Sequence, residues 1–179
     1  DSLDPRTPEE WDDFRAQSHR MLDDMLDYAQ QIRQRPVWQA APATARASFT
    51  EPLPRAPGEL ADAHATFMHD VLPYAVGNVH PGFMGWVHGG GTPVGMLADM
   101  LAAGLNANVG GRSQMPVEVE RQIGRWMREL FGFPDTASGV FVTGTSMANL
   151  MGLLVARTQA LGVLARQDGV KNTRLVAYT

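Results

Sequence analysis

The sequence predicts an α/β fold, and three observations carry that prediction. Gly139-Val-Phe-Val-Thr143 is a short apolar run of strand character that passes through Gly144-Thr145-Ser146 into a long apolar helix reaching Arg157. Arg174-Leu-Val-Ala-Tyr-Thr179 has the composition of a second strand, so strand, helix and strand make a β-α-β unit for which a parallel sheet is the expected pairing. Everything before residue 139 reads as amphipathic helices separated by proline- and glycine-rich segments.

The first helix starts at Thr7. Thr7-Pro8-Glu9-Glu10 combines an N-cap, a proline in the first turn and a capping-box glutamate. Trp11, Phe14, Met21, Leu22, Met25, Tyr28, Ala29 and Ile32 then recur at helical spacing until Arg35-Pro36 ends the pattern. So apolar a stripe needs cover, from the chain's own core or from a second subunit; both remain open on the residues alone. Pro36 to Gly58, with prolines at 36, 42, 52, 54 and 57, reads as an extended arm. A second helix runs from Glu59 through Leu60, His64, Phe67, Met68, Val71 and Leu72, with Pro73 as its end or a kink.

Asn78 to Pro93 is rich in glycine and aromatic residues, which suits a loop held close to a ligand. Thr92-Pro93 opens a third helix with Leu97, Leu101 and Leu105 on one face. A polar turn from Asn106 to Pro116 leads into a fourth, carrying Ile123, Trp126, Met127, Leu130 and Phe131 and closed by Gly132-Phe-Pro134.

Composition restricts the function classes. The chain has 179 residues, is 44% hydrophobic and carries a net charge of −4, enough to bury a core and without the basic surplus of a nucleic-acid partner. It has no cysteine, which removes disulfides, thiolate metal sites and cysteine nucleophiles. No apolar run approaches the roughly 20 residues of a membrane span, and no basic and apolar leader opens the chain, so a soluble cytoplasmic protein with no membrane partner is expected. The chain begins at Asp1 without methionine and stops at Thr179 inside a predicted strand, which predicts a fragment of a longer polypeptide.

The chemistry concentrates at Gly144-Thr145-Ser146. A helix start leaves its first N–H groups unpaired and carries partial positive charge, so this turn can wrap a phosphate with backbone donors and two hydroxyls. Gly144-x-Ser146-x-Ala148 also has the form of a nucleophile elbow, in which a serine attacks an ester. All five histidines, at 19, 64, 69, 80 and 88, precede that serine, whereas hydrolases of that fold place theirs after it. Neither a dinucleotide nor a Walker glycine motif is present. No metal site is expected, since His64 and His69 are five residues apart and His80 and His88 have no carboxylates near them in sequence.

The order of segments resembles the group II pyridoxal-phosphate decarboxylases, and within them the aromatic-L-amino-acid decarboxylase branch. The likeness rests on the long N-terminal helix, the proline-rich arm, His80-Pro-Gly-Phe-Met-Gly-Trp86, Thr92-Pro-Val-Gly-Met-Leu-Ala-Asp-Met-Leu101, Val117-Glu-Val-Glu-Arg121 with Trp126, and Thr143-Gly-Thr-Ser-Met-Ala-Asn-Leu150. The resemblance implies a fold type I carboxy-lyase acting on an amino acid, using pyridoxal 5'-phosphate. It also implies a homodimer with intertwined N-terminal helices and an active site at the subunit interface. It makes residues 1–76 a dimerisation segment with its arm, and residues 77–179 the first, incomplete part of the cofactor-binding large domain. By the same match Thr145 and Ser146 bind the cofactor phosphate, with Gly144 allowing close approach, and Trp86, Val87, His88 and Gly89 line the substrate pocket. His88 and Gly89 stand where animal relatives have proline and threonine, and Met147 stands where many members have an acid. The family's ring-stacking histidine, pyridine-pairing aspartate and Schiff-base lysine are expected after Thr179. Lys171, the only lysine, sits in the polar turn Asp168 to Thr173 and reads as a surface residue, leaving this chain without a catalytic residue of its own, so that beside the serine hydrolase a non-catalytic dimerisation module stays open as an alternative.

Overall fold

The computed structural model describes residues 4–110 and 113–177, and the chain divides into two units, Asp1–Asn106 and Ala107–Thr179. In the first, α1 (Pro8–Gln30) begins with the expected capping box. The Glu10 N–H donates to Thr7 Oγ1 at 3.2 Å and the Thr7 N–H donates to Glu10 Oε2 at 3.3 Å, pairing two N–H groups that a helix start leaves open. A 3₁₀ turn, Ile32–Gln34, closes the segment, and Arg35 lies over the Tyr28 ring, 4.9 Å from its centroid.

The arm after Pro36 is less extended than its prolines predict. It contains the short helix α2 (Ala43–Ala47), whose Ala45 is buried, and Gln39 Nε2 donates to the Pro73 carbonyl at 3.1 Å. Prolines exclude helix only near themselves, and the alanine-rich stretch between Pro42 and Pro52 is free to coil. Next come α3 (Leu60–Thr66), a π turn at Phe67–Val71 and a 3₁₀ turn at Leu72–Tyr74. The widening just before Pro73 accommodates a ring that cannot donate to the helix ladder.

A polar network ties α1 to α3. Buried Gln17 accepts from Arg20 Nε at 3.0 Å and from the Arg20 terminal nitrogen, which directs its amide N–H toward His64 Nδ1, 3.0 Å away. His64 Nε2 lies 3.3 Å from Asp24 Oδ2, outside hydrogen-bonding geometry. The lower part of the α1 stripe is half-buried, whereas Trp11 and Phe14, packed edge to face at 6.0 Å, stay 49% and 42% exposed. The unit ends in α4 (Pro93–Leu105), capped by Thr92 Oγ1 accepting from the Gly95 N–H at 2.9 Å and stopped by left-handed Asn106.

The second unit holds α5 (Met115–Leu130), α6 (Gly144–Leu161) and the short α7 (Ala165–Asp168). Here the α/β expectation meets its difference: no strand forms among the described residues. Segments 139–143 and 174–177 have no regular hydrogen-bonded ladder, and a strand exists only where its N–H and C=O groups pair across one. Tyr178 and Thr179 of the second expected strand, and residues 111 and 112 of the polar turn, lie outside the described residues.

Burial is sparse. Among the described residues only Ala45, Leu72 and Ala165 are buried apolar side chains, and α6, apolar on most sides, has none. Helices apolar all round belong in interiors, and the apolar sides of α6 lie exposed among the described residues. No described helix is long and apolar enough to cross a membrane.

Candidate functional site

The turn at 143–146 is built by one glycine. Thr143 is extended (φ −75°, ψ 93°) and Gly144 turns at φ +76°, a left-handed conformation in which any side chain would be strained. From there α6 runs 18 residues with no side chain capping its first N–H groups. The Thr145 and Ser146 hydroxyls are exposed and bond no protein group, and a Cβ on Gly144 would meet nothing within 4 Å. Helices α1 and α4 carry threonine caps, whereas α5 and α6 start without a side-chain cap, and the start of α6 leaves its first donors open beside the exposed Thr145 and Ser146 hydroxyls. No acid occupies its first turn. Backbone N–H groups, two hydroxyls and the positive helix end together suit a phosphate.

The second group of residues belongs to the first unit. Consecutive turns build the loop: the His80 N–H donates to the Gly77 carbonyl and the Phe83 N–H to the His80 carbonyl, both at 2.9 Å. The Gly82 N–H donates to His80 Nδ1 at 2.8 Å, which puts the imidazole proton on Nε2. Val37 from the arm sits at the loop base, within 3.7 Å of where side chains would begin at Gly77 and Gly82. Asn78 Nδ2 donates to the Gly89 carbonyl at 2.7 Å and closes the loop. At its tip the His88 ring stacks on Phe83 (centroids 5.8 Å, interplanar 20°) and tilts against Trp86 (5.5 Å, 54°). Trp86 is 85% and Val87 101% exposed, and Trp86 takes φ +44°, uncommon for a bulky residue.

Of the expected site residues, Gly144, Thr145 and Ser146 therefore meet at one helix mouth, and Trp86, Val87, His88 and Gly89 share one loop tip, each set within its own unit. Phe83 and Gly85, which lie in the His80–Trp86 run, and Asn78 shape that loop, although the sequence assigns none of them a site role. The aromatic spacing at 83, 86 and 88 around Gly85 was the available signal. Lys171 lies apart from both groups in the chain, pairing with Asp168 Oδ2 at 2.9 Å with its side chain 66% exposed. Among the described residues no cluster of metal-ligating side chains forms.

Residues 42–179 match the family model described as the pyridoxal-dependent decarboxylase conserved domain. The chain is 30% identical over 155 residues to an aromatic-L-amino-acid decarboxylase of Bacillus atrophaeus, covering 84% of this chain and 32% of that protein. It is 29% identical over 164 residues to the aromatic-L-amino-acid decarboxylase of Catharanthus roseus, with 86% and 33% covered. With tyrosine decarboxylase 4 of Petroselinum crispum it shares 28% over 185 residues, covering 97% and 35%. The chain thus spans about a third of the length of these relatives. Its fold is similar to that in the crystal structure of Catharanthus roseus tryptophan decarboxylase with L-tryptophan, at a TM-score of 0.69 and 24% identity, over 89% of this chain and 35% of the other.

Proposed function

The chain belongs to the pyridoxal-dependent decarboxylase family, and from that membership we propose that its full-length parent decarboxylates an aromatic L-amino acid, using pyridoxal 5'-phosphate. The observation that carries the proposal is the uncapped start of α6, whose open N–H groups and two free hydroxyls lie inside the matched region and have the chemistry a cofactor phosphate needs. The aromatic preference rests on the names of the relatives, which are aromatic-L-amino-acid and tyrosine decarboxylases.

In this mechanism the cofactor, when bound, supplies an electron sink for the charge left on the α-carbon as carbon dioxide departs. Thr145 and Ser146 hold its phosphate with their hydroxyls and backbone N–H groups, and Gly144 lets the phosphate approach the backbone. Trp86, Val87, His88 and Gly89 wall the pocket that takes the substrate side chain and excludes water. Segments 139–143 and 174–177 join the parent's parallel sheet, completing the fold type I architecture. Residues 1–76 serve as the dimerisation segment and arm, and 77–179 as the first part of the large domain.

The exposed Trp11 and Phe14 support a homodimer with intertwined N-terminal helices. The serine hydrolase alternative has less support, because Ser146 has no histidine partner among the described residues.

Purified full-length parent is expected to carry the cofactor's visible absorbance and to release amine and carbon dioxide from an aromatic L-amino acid. No cofactor band and no amine from phenylalanine, tyrosine or tryptophan overturns the proposal. Sedimentation at micromolar concentration is expected to show a dimer, and a stable folded monomer counts against the assembly.

Lys171 is assigned to the surface rather than to the cofactor. Lys171→Ala is expected to change stability by at most about 0.5 kcal/mol, as exposed single pairs do, and to keep the cofactor band. Borohydride reduction and peptide mapping check it, and an adduct on Lys171 would reverse the assignment.

A further inference from the structure

The loop at 76–92 contains no Asp, Glu, Lys or Arg, so a charged substrate side chain would find no counter-ion on it. Most of its polar side chains already have partners. Asn78 is bonded to the Gly89 carbonyl, His80 Nδ1 accepts from Gly82 while its Nε2 is buried without a partner, and Thr92 caps α4. The exceptions at the tip are the Trp86 indole, a donor only, and His88, whose ring makes aromatic contacts while neither nitrogen takes part in a hydrogen bond.

His88 is nevertheless held. Phe83 supports one face of its ring and Trp86 leans against it, and Gly85 makes room for this arrangement because a Cβ there would lie 3.0 Å from Phe83 Cζ. Trp86 reaches its position through a left-handed backbone that costs conformational energy, the kind of local strain found where a side chain is held for a task. The result is an apolar aromatic surface carrying one oriented group able both to donate and to accept a hydrogen bond.

Resting on the assignment of this loop to the substrate pocket, we propose that His88 is a specificity-determining residue that hydrogen-bonds the ring hydroxyl of a hydroxylated aromatic L-amino acid, with Phe83 and Trp86 as its positioning residues. A phenolic hydroxyl matches the imidazole in both directions, donating to the unprotonated nitrogen or accepting from the N–H. The surrounding rings suit the body of an aromatic side chain.

The test uses the full-length holoenzyme and the pair L-tyrosine and L-phenylalanine, which differ in that hydroxyl alone. Wild type is expected to favour tyrosine in kcat/KM. His88→Phe is expected to lower the tyrosine-to-phenylalanine ratio about tenfold, in line with loss of one hydrogen bond. His88→Gln, which keeps a donor and an acceptor, should recover part of the ratio, and Phe83→Leu, which removes the stacking partner, should lower it by a smaller factor. An unchanged ratio in His88→Phe overturns the proposal, as does a cofactor-loaded wild type with no preference for tyrosine or no activity on either substrate. A parent that neither binds cofactor nor decarboxylates any aromatic amino acid overturns the functional assignment beneath it, so the two failures are distinguishable.

Discussion

Ser146→Asp in the full-length protein is expected to reduce affinity for pyridoxal 5'-phosphate by about three orders of magnitude. Ser146 is the third residue of α6, after Gly144 and Thr145, where the helix start is open. A carboxylate there would face the phosphate across a few ångströms, and two unit charges about 4 Å apart at an effective dielectric of about 20 repel by about 4 kcal/mol. At about 1.4 kcal/mol per tenfold, that is the expected loss. The substitution does not harm the helix itself, because an acid in the first turn favours the macrodipole by about 0.3–1 kcal/mol. Weakened binding therefore cannot be attributed to unfolding of α6. Ser146→Ala, which removes one hydrogen bond to a charged group, is expected to cost about 1.5–3 kcal/mol, or roughly ten- to a hundredfold. Titration of the apo-protein with cofactor, followed by absorbance, reads both values. Equal affinity in wild type and Ser146→Asp would remove the phosphate from this turn.

What was legible in the sequence is mostly local. The Thr7 box, the Thr92 cap with Pro93, and the glycine turn into α6 depend on residues within four positions of one another, and each appears where its pattern puts it. The N-terminal stripe was legible as apolar but not by what covers it; the structure half-buries its lower part and leaves Trp11 and Phe14 out. Contacts between distant positions had no signal. Gln17 and His64 are 47 residues apart, and no spacing rule connects them. The helix α2 was obscured by flanking prolines, and the π turn by a proline whose effect could be an end, a kink or a widening. The strand expectation depends on pairing partners rather than on composition, so segments 139–143 and 174–177 keep strand-like sequences without forming strands in this chain.

Gly77 is the position where an added methyl group is expected to do most damage to the first unit. Its φ of +81° is unfavourable for an alanine, and a Cβ built there falls 1.8 Å from the Val37 carbonyl oxygen, a backbone atom that cannot rotate away. Backbone strain of about 1–3 kcal/mol and an overpacking cost of about 1–3 kcal/mol both apply. Gly77→Ala is therefore expected to destabilise by about 2–6 kcal/mol, or to push the arm off the loop. Displacing Val37 also disturbs the surroundings of Gly82, where a Cβ would lie 3.3 Å from Val37 Cγ2, and of the Gly77 carbonyl that receives the His80 N–H. On the proposal that this loop walls the substrate pocket, KM should rise as the aromatic tip loses its base. Gly58→Ala is the control, since nothing lies within 4 Å of its Cβ and it has no left-handed backbone. Thermal unfolding and hydrogen exchange of the full-length protein compare the two. A Gly77→Ala protein within about 1 kcal/mol of wild type, with loop protection unchanged, would show that the arm and the loop are not locked together at this contact.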